Sequence, residues 1–173
     1  MNKFYGTAGF IADEYLDIDG KYSLSGLLGI GFKEAVANPV GEIGLDDCMI
    51  RSIAILLNYP NFDIAISQYK EIYHQLAKIG EEKMILMNHV AVAEEYLKNK
   101  GYILVNYQAS MGLGQFLTTH KLGHFIVCTG SGHAFPYIDG TIYDSLGAFM
   151  TIEHEYGHEI TYVYCKREEF NLL

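Results

Sequence analysis

An α+β domain, helices first and an antiparallel sheet second, is what this sequence predicts. Three observations carry that reading. Apolar residues recur at helical spacing through residues 48–98. After Gly101 the texture turns to short β-prone runs. Asp139-Gly140 then stands between two such runs, the strongest two-residue hairpin signal in the chain. Helices grouped ahead of strands give segregated layers rather than alternating βαβ units.

The 173 residues fit a single domain. It divides into a weakly patterned N-terminal extension (1–44), a helical part (45–100) and a mainly β part (101–173). With 50% hydrophobic and 19% charged residues, the composition is that of an ordinary globular protein. A formal net charge of -9 without any basic run argues against nucleic acid as a partner. No run of about eighteen apolar residues is present, so no membrane span is expected. The first residues lack the apolar core of a signal peptide. Three widely separated cysteines make a poor disulfide framework, which points to a reducing, cytoplasmic setting; an infected host cytosol would fit equally. No cofactor is expected, and the sequence is silent on oligomeric state.

The elements follow in order. Residues 1–44 hold one hairpin signal, Asp19-Gly20 between Tyr15-Leu16-Asp17-Ile18 and Lys21-Tyr22-Ser23-Leu24. Residues 25–44, with Asn38-Pro39, read as a loop wrapping the body. Asp46 and Asp47 offer N-caps to a first helix with Ile50, Ile53, Ala54 and Leu57 on one face, stopped by Tyr59-Pro60-Asn61. Asp63 is the expected cap of a second helix reaching Ile79. Its face carries Ile66, Tyr69, Ile72, Tyr73 and Leu76, and Gly80 is its expected end. Asn88 can cap a third helix over 89–98. The β part should hold a strand at 102–107, a short helix at 113–119 and a strand at 124–129. The hairpin of 133–138 with 141–145 and a last strand at 159–166 complete it.

The chemistry begins with Cys48. It follows Asp46-Asp47 at the first turn of a helix, where unpaired amides and the helix dipole favour a thiolate. A two-residue turn at Asp139-Gly140 pairs Ile138 with Thr141 and sets Phe135 opposite Asp144. His133 and Asp144 then become diagonal neighbours on one sheet face. A carboxylate there can hold one ring nitrogen of His133 and leave the other for a thiol. Nucleophile, base and orienting acid are therefore expected as Cys48, His133 and Asp144.

These residues resemble a known family. Asp46-Asp47-Cys48-Met49-Ile50-Arg51-Ser52-Ile53-Ala54 resembles the nucleophile helix of papain-like cysteine peptidases, in particular small phage and bacterial members. The stretches Gly123-His124-Phe125-Ile126-Val127, Gly132-His133-Ala134-Phe135 and Tyr143-Asp144-Ser145 are similar to their base-bearing sheet. The resemblance spans roughly residues 44 to 147. It implies a Cys-His-Asp hydrolase acting on peptide, isopeptide or similar acyl bonds, with a peptide or protein as substrate. Such enzymes often carry a Gln about six residues before the cysteine as an oxyanion donor. Glu42 stands there instead, and an ionised carboxylate has no proton to donate. Gln115 is the alternative donor, provided the fold brings it near. A non-catalytic binding protein on the same frame is the competing reading that Glu42 motivates.

A metal reading competes as well. His154-Glu155-Tyr156-Gly157-His158 satisfies H-E-x-x-H, the zinc signature of many metallopeptidases, with His154 and His158 as ligands and Glu155 as base. The motif works only on a helix. Gly157 weakens a helix, and Ile160-Thr161-Tyr162-Val163-Tyr164 favours a strand. No later histidine supplies a third ligand, so a solvated turn leading into a strand is the preferred account. His74, His89, His120 and His124 read as structural or solvated, and Cys128 and Cys165 as strand residues that pack.

Overall fold

The computed structural model describes residues 31–34, 48–84, 89–107, 111–130, 132–144 and 159–173. The expected hairpin at 15–24, the caps Asp46, Asp47 and Asn88, and the His154/Glu155/His158 motif lie outside the described residues.

The first helix, α1, runs Cys48–Asn58 and buries Ile50, Ile53 and Ala54, the face that the spacing predicted. It is followed by α2, Phe62–Lys83, and the two are tied where Asn58 Nδ2 donates to Gln68 Oε1 at 3.0 Å. Two details of α2 differ from expectation. Asn61, not Asp63, is the N-cap, its side chain accepting from the Ile64 N–H at 3.1 Å. Nor does Gly80 end the helix: it is buried within it, and the left-handed residue that closes the helix is Met84, at φ 57. Gly permits a C-cap conformation without requiring one, and packing at the buried Gly80 favoured another turn. A third helix, α3, runs His89–Lys98 as predicted.

Six strands form one sheet. They are β1 (Gly31–Glu34), β2 (Tyr102–Asn106), β3 (His124–Thr129), β4 (Ala134–Ile138), β5 (Thr141–Asp144) and β6 (Ile160–Lys166), in the order β1-β5-β4-β3-β6-β2. All pairings are antiparallel except β1 with β5. A strand at Gly31–Glu34 corrects the reading of 25–44 as a loop throughout. Gly-Phe-Lys-Glu has little β preference of its own, and the pairing edge comes from β5, over a hundred positions away in the chain.

The hairpin has the expected register, Ile138 with Thr141 and Tyr137 with Ile142. Asp139 and Gly140 both have positive φ, 46° and 81°, as a type I′ turn demands. The next hydrogen-bonded pair would join Pro136 to Tyr143, and proline has no N–H to give. That accounts for the described β4–β5 ladder ending after two pairs.

Both sheet faces are covered. Helices α1–α3 pack on one face against Ile126, Cys128, Ala134, Ile138 and Tyr164. A fourth helix, α4 (Leu113–Thr119), packs on the other face with Phe116 and Leu117 against Phe125, Val127, Phe135 and Tyr137. Strand β4 is buried at every position for this reason. A short 3-10 helix, Arg167–Leu172, follows β6. The architecture is α+β. Among the described residues no helix is long and apolar enough to cross a membrane.

Phe116 is fully buried and meets the rings of Phe125, Tyr137 and His120. Replacement Phe116→Ala should cost about 3–5 kcal/mol, seen as a lower urea midpoint at unchanged m value. A loss below about 1 kcal/mol would mean that α4 is not part of the core.

Candidate active site

Cys48 is the first residue of α1, so its N–H and those of the next residues have no partner within the helix. The side chain is half-buried. One turn on, Ser52 Oγ donates to the Cys48 carbonyl oxygen at 2.7 Å. The apolar face beneath holds the helix to β3 and β4. The sequence expectation of a cysteine at the tip of a firmly packed helix therefore holds in the structure.

Below this tip three strands end together. Cys128, near the end of β3, pairs with Ala134 at the start of β4 on one side and with Tyr162 in β6 on the other. Beyond Cys128 the chain reverses. Gly132 N–H donates to the Thr129 carbonyl at 3.0 Å, and Thr129 N–H donates to the His133 carbonyl at 2.9 Å. Gly132 has φ 89°, a value that suits glycine, and His133 follows it directly. The strand ends enclose a cleft of about 260 Å³. Cys128 lies at its floor, His133 and Ala134 flank it on the β4 side, and Thr161 and Tyr162 flank it on the β6 side. Cys48, Met49 and Val90 complete the lining from the helical layer. Tyr164 Oη donates to the Val90 carbonyl at 2.8 Å and so anchors the start of α3 at this edge.

Cys48 and His133 thus border one cleft although they are far apart in sequence. His133 is half-buried, and its ring centroid stands 5.7 Å from that of Phe135, whose side chain belongs to the α4-side core. His133 precedes β4 rather than opening it as predicted, and its ring packs beside Phe135 of the α4-side core, whereas Cys48, Cys128 and Ala134 belong to the opposite sheet face. Asp144 is the last residue of β5, and its side chain lies outside the described residues.

The three thiols have different surroundings. Cys128, also in the cleft lining, is only 6% exposed; burial drives its thiol well above the ordinary range, with the neighbouring Cys48 adding to the effect. Cys165 faces the α4-side core, and burial, with Glu169 contributing, raises it to about 11. Both remain neutral thiols at physiological pH and are poor nucleophiles there. Cys48 is the most accessible of the three.

Other candidates fall elsewhere. Gln115 is exposed on α4, the helix on the sheet face opposite α1, and it does not line the cleft; it is not the alternative oxyanion donor. Glu42 and the zinc-type motif lie outside the described residues, and among the described residues no group of three or more His, Cys, Asp or Glu is arranged to hold a metal ion. His120 is buried, with Nδ1 3.1 Å from the Phe116 carbonyl and Nε2 3.1 Å from the Leu173 oxygen, a structural role. His124 begins β3, at the opposite end of that strand from the cleft. Its Nε2 lies 3.5 Å from Asp139 Oδ2 and its ring packs edge-on to Tyr59, a contact that spacing had not suggested.

Sequence reasoning missed Val90, Thr161 and Tyr162 as cleft residues. The signal available was alternation in β6, which sets Tyr162 and Tyr164 on one face, but that becomes useful only with the β3–β6 register. No family model matches this chain, and no curated protein or solved structure is detectably similar to it.

Cys165 also links stability to pH. In the unfolded chain its thiol ionises near about 8.5. In the folded protein it holds its proton up to about 11. Its contribution is fully present below the lower value and is lost as pH rises through the upper one. The urea midpoint of Cys165→Val should therefore decline less steeply than that of the native chain above about pH 8.5. Equal slopes would remove Cys165 as a cause.

Proposed function

We propose that this chain is a papain-like thiol hydrolase acting on amide-type acyl bonds of a peptide or protein. Cys48 is the nucleophile, His133 the general base and Asp144 the residue that orients the imidazole. The observation that carries the reading is that the accessible thiol at the tip of α1 and the His133 side of β4 border the same cleft.

The chemistry follows from these roles. The Cys48 sulfur attacks the carbonyl carbon, and His133 takes the thiol proton and later delivers it to the leaving amine. Asp144 holds the tautomer in which the ring nitrogen facing the sulfur is free to accept. The resulting thioester is hydrolysed by water, with His133 acting again as base. The neighbouring Cys128 does not compete, because its burial keeps it protonated.

The second reading is a binding protein that has the frame without turnover. Glu42 favours it, since an ionised carboxylate near the oxyanion would oppose the reaction.

Iodoacetamide labelling followed by peptide mass mapping separates the two. In the native protein at pH 7, Cys48 should alkylate well before Cys128 and Cys165. His133→Ala should slow it by about 10-fold or more, the scale expected when a base that activates a nucleophile is removed. Alkylation of Cys48 at the same rate with and without His133 would overturn the catalytic assignment.

A further inference from the structure

We propose that the Tyr162 hydroxyl is the oxyanion donor of this site, a role the sequence leaves open because Glu42 occupies the position from which a glutamine would act. The inference rests on the thiol-hydrolase reading and adds a catalytic residue to it.

Acyl transfer through Cys48 places a negative charge on the former carbonyl oxygen, and a positioned N–H or O–H must meet it. Three backbone donors on the strand-end side are committed. Thr129 N–H donates to the His133 carbonyl, Gly130 N–H to the Glu159 carbonyl and Gly132 N–H to the Thr129 carbonyl, at 2.9, 2.9 and 3.0 Å. The threonine hydroxyls face backbone oxygens too: Thr161 Oγ1 donates to the Cys128 carbonyl at 3.1 Å, and Thr129 Oγ1 lies 3.5 Å from the His133 carbonyl. Among the described residues that line the cleft, the N–H groups at the start of α1 and the Tyr162 hydroxyl are the donors not engaged in these bonds.

Tyr162 is suited to the role by its place in the sheet. It pairs with Cys128 across the β3–β6 ladder and packs with the α1-side core, on the sheet face that carries Cys48. His133 lines the cleft from the β4 side of Cys128, and Tyr162 lines it from the β6 side. Strongly buried tyrosines elsewhere in the sheet have partners: Tyr137 donates to the Leu117 carbonyl, Tyr164 to the Val90 carbonyl and Tyr143 to the Tyr59 hydroxyl. Among the described residues the half-buried Tyr162 hydroxyl engages none. A tyrosine hydroxyl normally finds a partner when buried, and that of Tyr162, a half-buried residue lining the cleft, is open to a ligand bound there.

With 4-nitrophenyl acetate as probe, His133 takes the thiol proton as the Cys48 sulfur forms a bond to the acetyl carbon and the carbonyl π pair moves to oxygen, where the Tyr162 O–H and the Cys48 N–H receive it. Collapse of this intermediate breaks the ester C–O bond, expels 4-nitrophenolate and leaves acetyl-Cys48, and His133 releases its proton to solvent. Water then adds with loss of a proton to His133, and acetate departs as the thiol is restored.

Two reactions of the same sulfur test the assignment. Acylation by 4-nitrophenyl acetate builds an oxyanion; alkylation by iodoacetamide is a displacement at saturated carbon and builds none. Tyr162→Phe, which keeps the ring, should slow nitrophenolate release by on the order of 100-fold while leaving the alkylation rate of Cys48 within about two-fold. If both rates are unchanged, or both fall together, Tyr162 is not the oxyanion donor. Cys48→Ala run alongside isolates the underlying reading: release that persists without Cys48 sinks the hydrolase itself, whereas release that needs Cys48 but ignores Tyr162→Phe sinks only the present inference. Circular dichroism of Tyr162→Phe against the native chain verifies that the sheet is intact.

Discussion

The packing of α1 across β3 and β4 is the constraint on which the rest of the structure depends. Ile53 and Ala54 are wholly buried in that contact, and Ile50, one turn from the tip, is nearly so. A helix clamped along its length cannot slide or roll without opening a void, and a void in a close-packed interior costs several kcal/mol. The position of residue 48 is therefore inherited from residues 50–56. At that end β3 stops at Thr129, and the chain turns back through Gly132.

The second layer explains why the strand ends can hold a shape of their own. With α4 and its aromatic cluster on the far face, β3, β4 and β6 are covered on both sides. Buried from both sides, they have little freedom to twist or slip in register, since a one-residue slip would reverse every side chain. Fixed register sets Ala134, Cys128 and Tyr162 side by side across three strands. It also turns an ordinary hairpin into a support for His133, which lies just outside the ladder and is tied to it through its carbonyl. Pro136 limits how far that hairpin can zip, and so leaves the start of β4 paired with β3 alone among the described pairs.

One residue type has three fates here, decided by surroundings. Cys165 is sealed under α4, Cys128 is sealed under the tip of α1, and Cys48 stands at the tip itself. Burial disfavours the charged form of a thiol, so the first two serve as small apolar side chains.

Local chemistry was legible in the sequence wherever it acts over a few residues. The spacing of Ile50, Ile53 and Ala54 marked the buried face of α1, the Asp139-Gly140 pair marked the turn and its register, and 113–119, 124–129 and 89–98 were bounded by their own patterns. The prominence of Cys48 and His133 followed from such local rules. Caps were less legible: Asn61 and Asp63 are both good N-cap residues, and only the packing of α2 chose between them. What tertiary structure alone decided is which strand lies beside which. The place of β1 against β5, the layer that took Gln115 away from the cleft, and the adjacency of Tyr162 to Cys128 all depend on contacts between segments distant in sequence. Such contacts are selected by the total burial they achieve, a property of the whole chain that no short window of residues contains.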